Sequence, residues 1–113
     1  MPLHKIHESL RKMNCECEAL HMNIFEIAQE AIQNVIGCPN NLMTREKIIM
    51  TCCSKLEQLR LSNTLINDYR VICDDSNNIE DVIMNNDAVV DIEWIDIFGT
   101  KRYVNMHARK DLE

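Results

Sequence analysis

Glycine and proline are close to absent, with two of each in 113 residues. Gly37 and Gly99 lie far apart, so there is no glycine-rich loop to cradle a phosphate on backbone amides. There is likewise no Gly-x-Ser-x-Gly elbow to present a hydrolase nucleophile. No apolar run approaches the ~20 residues that cross a bilayer, and no basic-then-apolar leader opens the chain. The expectation is a cytosolic chain with no membrane partner. Cys-x-x-Cys does not occur, which removes the commonest structural zinc spacing. Lysine and arginine are missing between residues 74 and 100, a stretch with eight carboxylates. An acidic centre repels phosphate backbones, so nucleic acid is not an expected partner.

What is present describes one globular domain. The chain has a mass of 13.2 kDa, 46% hydrophobic and 27% charged residues, and a net charge of −6, which is ordinary for a single folded core. Six cysteines occupy positions 15, 17, 38, 52, 53 and 73. Most fall on apolar faces of predicted elements, so they read as free, buried thiols. Cys15 and Cys17 on one helix point about 200° apart and cannot share a tetrahedral metal with His21. His4 and His7 share a face but are read as solvent-exposed side chains. An EF-hand loop begun at Asp75 would place Glu80 where glycine is required and Asn86 where the bidentate glutamate belongs. No metal, no cofactor and no enzymatic activity are expected.

Apolar residues recur at Leu3, Ile6, Leu10, Met13, Cys17, Leu20, Ile24, Ile27 and Ala31. Alternating steps of three and four make a heptad-like seam on one long helix, or two nearly collinear ones, stopped by Gly37 and Pro39. Past Leu20 the stripe widens to include Phe25, Ala28, Ile32, Val35 and Ile36. That widening divides the chain into a helical extension, 1–23, and an α+β domain, 24–113. Leu3, Ile6, Leu10 and Met13 are then the candidate oligomerisation residues, and a homo-oligomer is expected. A second helix begins with Thr44 as N-cap and ends near Asn63, with Ile48, Ile49, Cys52, Leu56 and Leu59 on its apolar face. From Asp68 the period becomes two: Tyr69, Val71 and Cys73 share one strand face. A polar loop follows. In 88–98, Val90, Ile92 and Trp94 share a face, and the switch to Ile95 and Ile97 predicts a bulge or an end to pairing. After the Gly99-Thr100 turn, 102–108 forms a last strand. The result is two helices packed on a small antiparallel sheet of about three strands.

Short strands leave a sheet edge open, and open edges accept strands from partners. Tyr103, Val104, Asn105 and Met106 are the candidate edge residues for protein contact.

Two segments, PNNLMTREKI and INDYRVICDDSNNIEDVIMNNDAVVDIEW, carry a further signal. A Pro-Asn-Asn loop, a Thr-Arg helix start, Val-x-Cys-Asp, Ser-Asn-Asn and Asn-Asn-x-x-Val-Val-Asp-Ile follow one another over about residues 24–104. In that order and spacing they resemble the C-terminal domain of contractile phage tail sheath proteins. The resemblance marks Asn40, Asn41, Asp74, Asn77, Asn78, Asn85, Asn86 and Asp91 as motif residues, with side chains that satisfy local backbone groups in turns. It implies a structural or assembly protein of a virion or host cytoplasm. Its partners would be copies of itself or tail tube, sheath and baseplate proteins, tied by exchanged strands. The chain departs from the family in having Ile95-Asp96-Ile97-Phe98 where a Lys-Pro pair is common, and in its charged end HARKDLE. A free-standing relative, rather than a complete sheath subunit, is the expectation. The alternative is a small intracellular adaptor that dimerises through its N-terminal helix.

Overall fold

The computed structural model describes the backbone of residues 3–108 and the side chains of residues 8, 9 and 11–108. Helix α1 (Leu3–Gln33) is unbroken, as a span without glycine or proline allows. It closes through a turn in which Cys38 N–H donates to the Val35 carbonyl at 2.9 Å, with Gly37 inside the turn reversing the chain at φ 87°. Helix α2 (Leu42–Ser62) starts earlier than expected. Asn41, not Thr44, is the N-cap: it is extended at φ −135°, and its Oδ1 accepts the Thr44 N–H at 2.9 Å. Asparagine is the stronger cap, and it lets Leu42 and Met43 join the helix while Thr44 becomes a first-turn residue.

Strands β1 (Ile66–Ile72), β2 (Ala88–Asp96) and β3 (Lys101–Ala108) form one antiparallel sheet in the order β1-β2-β3. α1 lies over β2 and β3, and α2 packs on α1 and β1. The fold is therefore α+β, helices on one face of a three-stranded sheet. β2 and β3 pair within the chain from Ile95↔Lys101 to Ala88↔Ala108, a hairpin in cis. The inner face holds Val90, Ile92, Trp94 and Val104, packed on Cys17, Leu20, Ile24, Ala28, Ile48, Cys52 and Leu56. At roughly 25 cal/mol per Å² of apolar surface removed from water, this shared core is the main stabilising term. Cys17 and Leu20 are as deeply buried as Ile24, so α1 packs on the sheet ahead of residue 24.

Two expectations of local structure are corrected. The face of β2 does not switch after Trp94: alternation continues, and Asp96 takes the next inward position with no exposed surface. The register irregularity lies across the sheet, in β1 between Ile66 and Asp68. The polar loop after β1 also contains a short helix, α3 (Glu80–Met84), with Glu80 and Asp81 in its first turn, where the helix dipole favours carboxylates. Asn86 ends it in the left-handed region at φ 57°, which asparagine tolerates better than most residues.

Candidate interaction surfaces

Two of the motif asparagines, Asn40 and Asn78, form a buried latch. Asn78 is 1% exposed, and its amide behaves as one more residue of β1. Its Oδ1 accepts the Val89 N–H at 2.9 Å and its Nδ2 donates to the Val89 carbonyl at 2.9 Å, completing the ladder where β1 has ended. Asn40, from the α1–α2 loop, donates to Asn78 Oδ1 at 2.9 Å and to the Asp87 carbonyl at 2.7 Å. Arg45 Nη1 donates to Asn40 Oδ1 at 2.8 Å, and the same guanidinium lies 3.4 Å from Asp75. Asn77 donates to the Ile72 carbonyl at 2.7 Å and to Asp91 at 2.8 Å, and its Oδ1 accepts the Asp74 N–H. Asp91 also accepts from Asn105 at 2.6 Å on the solvated sheet face. Asp74 Oδ1 accepts both the Ser76 hydroxyl and the Ser76 N–H, and the hydroxyl comes first among the contacts that hold its carboxyl below the usual range. Asn85 caps α3 and Asn86 turns the chain. The structure thus brings Asn40, Asp74, Asn77, Asn78 and Asp91 together, linking three segments remote in sequence. Sequence reasoning missed Arg45 as a member of this network. Its place one turn after a Pro-Asn-Asn loop was the available signal.

A second polar group sits under α1. Trp94 Nε1–H donates to His21 Nδ1 at 3.0 Å, the two rings lie 6.0 Å apart, and Arg102 stands 5.5 Å from the centre of the Trp94 ring. Arg102 Nε donates to Asp96 Oδ2 at 3.0 Å, while Asp96 Oδ1 accepts the Phe98 and Thr100 N–H groups and so shapes the β2–β3 turn. Burial pushes the Asp96 carboxyl up, but Arg102, Thr100 and Phe98 outweigh it and hold the group below its ordinary value. Burial, then the Arg102 charge, lowers His21. Burial, then Asp96, raises the Cys17 thiol. A cysteine, a histidine and an aspartate therefore share one corner, where burial and Asp96 oppose ionisation of the thiol and His21 Nδ1 is spent on Trp94. This set braces α1 on the sheet. The sequence signals for Asp96 were the unbroken alternation from Val90 and the Asp-x-x-Gly spacing to Gly99. Among the described residues, no three of His, Cys, Asp and Glu come together to hold a metal ion.

The four candidate edge residues divide by face. Val104 is buried and Met106 half-buried against the core, whereas Tyr103 and Asn105 are exposed on the solvated face. Asp96 N–H donates to the Thr100 carbonyl at 3.1 Å, which sets the phase of the hairpin. Strict alternation from that pair points the backbone groups of Tyr103, Asn105 and His107 away from β2, along the outer edge. Leu3, Ile6 and Leu10 lie outside the described side chains. Met13 is half-buried, and Glu8, Ser9, Arg11 and Lys12 before it are exposed. A groove of about 380 Å³ follows, lined by Met13, Glu16, Leu20, Asn63, Leu65 and Ile97 among others.

No family model, curated protein or solved structure matches the chain.

Proposed function

We propose that this protein is a non-enzymatic structural or assembly component, related to the contractile tail sheath, that works by accepting a partner's strand at the outer edge of β3. The supporting observation is the sheet order: β3 is an edge strand of eight residues with no proline, and no strand pairs with its outer side among the described residues. Edge strands of this length template pairing unless something covers them. The buried latch holds the opposite end of β2 rigid, and a preorganised sheet loses less entropy on accepting a strand. The partners are copies of the chain or tube, sheath and baseplate proteins, met in a virion or in host cytoplasm.

A test is affinity capture from producing cells with quantitative mass spectrometry, comparing the native chain with Tyr103→Pro. Proline at an outward-facing edge position deletes a donor to the partner and leaves the β2–β3 ladder whole. Tail-protein capture should fall sharply with that variant. Equal capture by a folded Tyr103→Pro protein would remove strand addition at this edge. A second reading, an adaptor that dimerises through α1, is favoured by the alternating three-and-four spacing of apolar residues in the sequence from Leu3 to Ile27. Sedimentation of a chain begun at Glu16, which keeps Cys17 and Leu20 in the core, tests it: an unchanged oligomeric state rejects the helical dimer.

A further inference from the structure

The sheet has two edges, and they are finished differently. The outer side of β1 is closed to a further strand. Its register slips between Ile66 and Asp68, and Asp68 and Arg70 are exposed there. The Tyr69 N–H, which strict alternation points away from β2, is taken by Asp68 Oδ1 at 2.8 Å. Bulges and charged side chains are devices by which natural sheets refuse an added strand, and a spent donor adds a third. β3 has none of these. It pairs with β2 without a register shift, and its outward residues Tyr103, Asn105 and His107 include no proline, carboxylate, lysine or arginine.

Helix α1 supplies a second feature at the same edge. It lies over β2 and β3, with α2 along one flank, where Lys55 pairs with Glu30. The other flank overhangs β3. His21 marks it, through its bond to Trp94 and the Arg102 guanidinium on that ring. Phe25, four residues on, shares the His21 stripe and points about 140° away from Glu30. It is 38% exposed, too open for a core aromatic, and Met22 beside it is 57% exposed. The helix runs from the Arg102 end of the hairpin toward Asp87, whose carbonyl the α1–α2 loop reaches through Asn40. One turn past His21 advances about 6 Å, or about two strand residues. Phe25 therefore stands level with Val104 and Asn105.

We propose that two copies of this chain associate about a two-fold axis, β3 against β3 in an antiparallel register centred on Asn105, so that two sheets become one of six strands and the α1 helices meet at Phe25. This rests on the reading of β3 as a strand-accepting edge and names what occupies it. Among the chain's own strands only β3 can serve, since β2 is paired on both sides and β1 is closed. In that register Tyr103 faces His107 of the second copy on the solvated side, and Val104 faces Met106 of the second copy on the core side. Ring meets ring and apolar meets apolar. Centring on Val104 instead would set Lys101 against His107 and Arg102 against Met106. The spacing also suits the helices. Paired strands lie about 4.8 Å apart. A helix over the gap between β2 and β3 is about one such spacing from the axis, so the two α1 axes lie about 10 Å apart, a packing distance. One strand edge and one helix flank make a small contact, so the dimer is weak and concentration-dependent.

The test is sedimentation velocity of the full chain over a concentration series, with circular dichroism to verify folding. The native chain should pass from monomer to dimer and stop there, as a self-complementary contact requires. Tyr103→Pro and Phe25→Glu should each weaken the dimer at least about tenfold. Mixing Phe25→Glu with Phe25→Lys should recover it, because a two-fold axis sets residue 25 against its own copy. Met22→Glu gives the same reading if Phe25→Glu does not fold. A native chain that stays monomeric overturns the proposal, as does growth past dimer. So does a dimer that persists in Tyr103→Pro, or one lost when the chain begins at Glu16, which would be seam pairing of α1. A dimer untouched by Phe25→Glu and Met22→Glu overturns the shared helix contact and the arrangement with it. Failure here leaves the strand-accepting edge standing if Tyr103→Pro still lowers capture of tail proteins. Capture and dimer both unchanged by Tyr103→Pro remove the edge and the dimer together.

Discussion

At the scale of single residues, Trp94 and Asn78 hold positions that no substitute fills. Trp94 is fully buried, its indole N–H is used by His21, and its ring carries Arg102. Trp94→Ala should cost roughly 3–5 kcal/mol, read as a fall in the urea midpoint. An unchanged melting temperature with lost binding would instead place the side chain's role at a partner. Asn78→Ala removes both contacts of Val89 and one of Asn40, leaving buried groups unpaired, so a loss of at least about 2 kcal/mol is expected. The pH profile should show two steps. His21 is lowered in the folded state, so the unfolded chain takes up the proton first. Stability should therefore fall as pH drops below about 6.5. Asp96 is also lowered, and its contribution, present above the ordinary carboxylate value, is lost as pH falls through the folded value. His21→Gln keeps an acceptor for Trp94 without the titration. It should flatten the upper step and leave the lower one, and urea midpoints from pH 7.5 to pH 3 would show an unaltered upper step if another group were responsible.

Among elements, β3 separates inward from outward backbone groups. Val104→Pro places proline where the strand donates to β2 and removes a buried side chain, so it should unfold the hairpin, costing roughly 3 kcal/mol or more. Tyr103→Pro, one residue away, should leave the melting temperature nearly unchanged. Equal loss in both variants would contradict the phase assigned from Asp96 and Thr100. Because β3 pairs in cis, ending the chain after Gly99 should destabilise the whole domain. These elements were legible in sequence because burial on one face imposes its period: the seam from Leu3 wrote α1, and Val90, Ile92 and Trp94 wrote β2. What escaped had no period to show. α3 is a single turn of acids and apolar residues that pattern alone cannot tell from loop. Asn41 displaced Thr44 as cap because both residues satisfy the same local rule, and the extended backbone decided between them. The edge positions Tyr103 and Asn105 could be named from sequence, but which faced outward depended on the turn that Asp96 builds. The latch was visible as a run of asparagines, while its long-range bonds were not. Asn40 and Asn78 are brought together only by the packing of α2 and β1 on one core.

For the whole molecule, the cysteines offer a reading of cooperativity. Cys15 and Cys38 are exposed, Cys53 is half-buried, and Cys17, Cys52 and Cys73 are buried in one core cluster although they belong to α1, α2 and the end of β1. None is paired in a disulfide, so denatured, unreduced protein should titrate as six thiols. In the native state a thiol reagent should consume Cys15 and Cys38 at once. The buried three should react only through opening, since burial pushes Cys52 up to about 12 and Cys73 up to about 11 and raises Cys17, which keeps the reactive thiolate scarce. If the helices and sheet open as one unit, Cys17, Cys52 and Cys73 should be labelled with the same opening free energy, equal to that of global unfolding. The corner formed by His21, Trp94, Asp96 and Arg102 predicts that equality, because it bolts α1 to the sheet within one turn of Cys17. Mass spectrometry of the labelled peptides over time measures it site by site. Labelling of Cys17 well ahead of the other two would mean that α1 undocks by itself, and the single cooperative core would have to be divided at that corner.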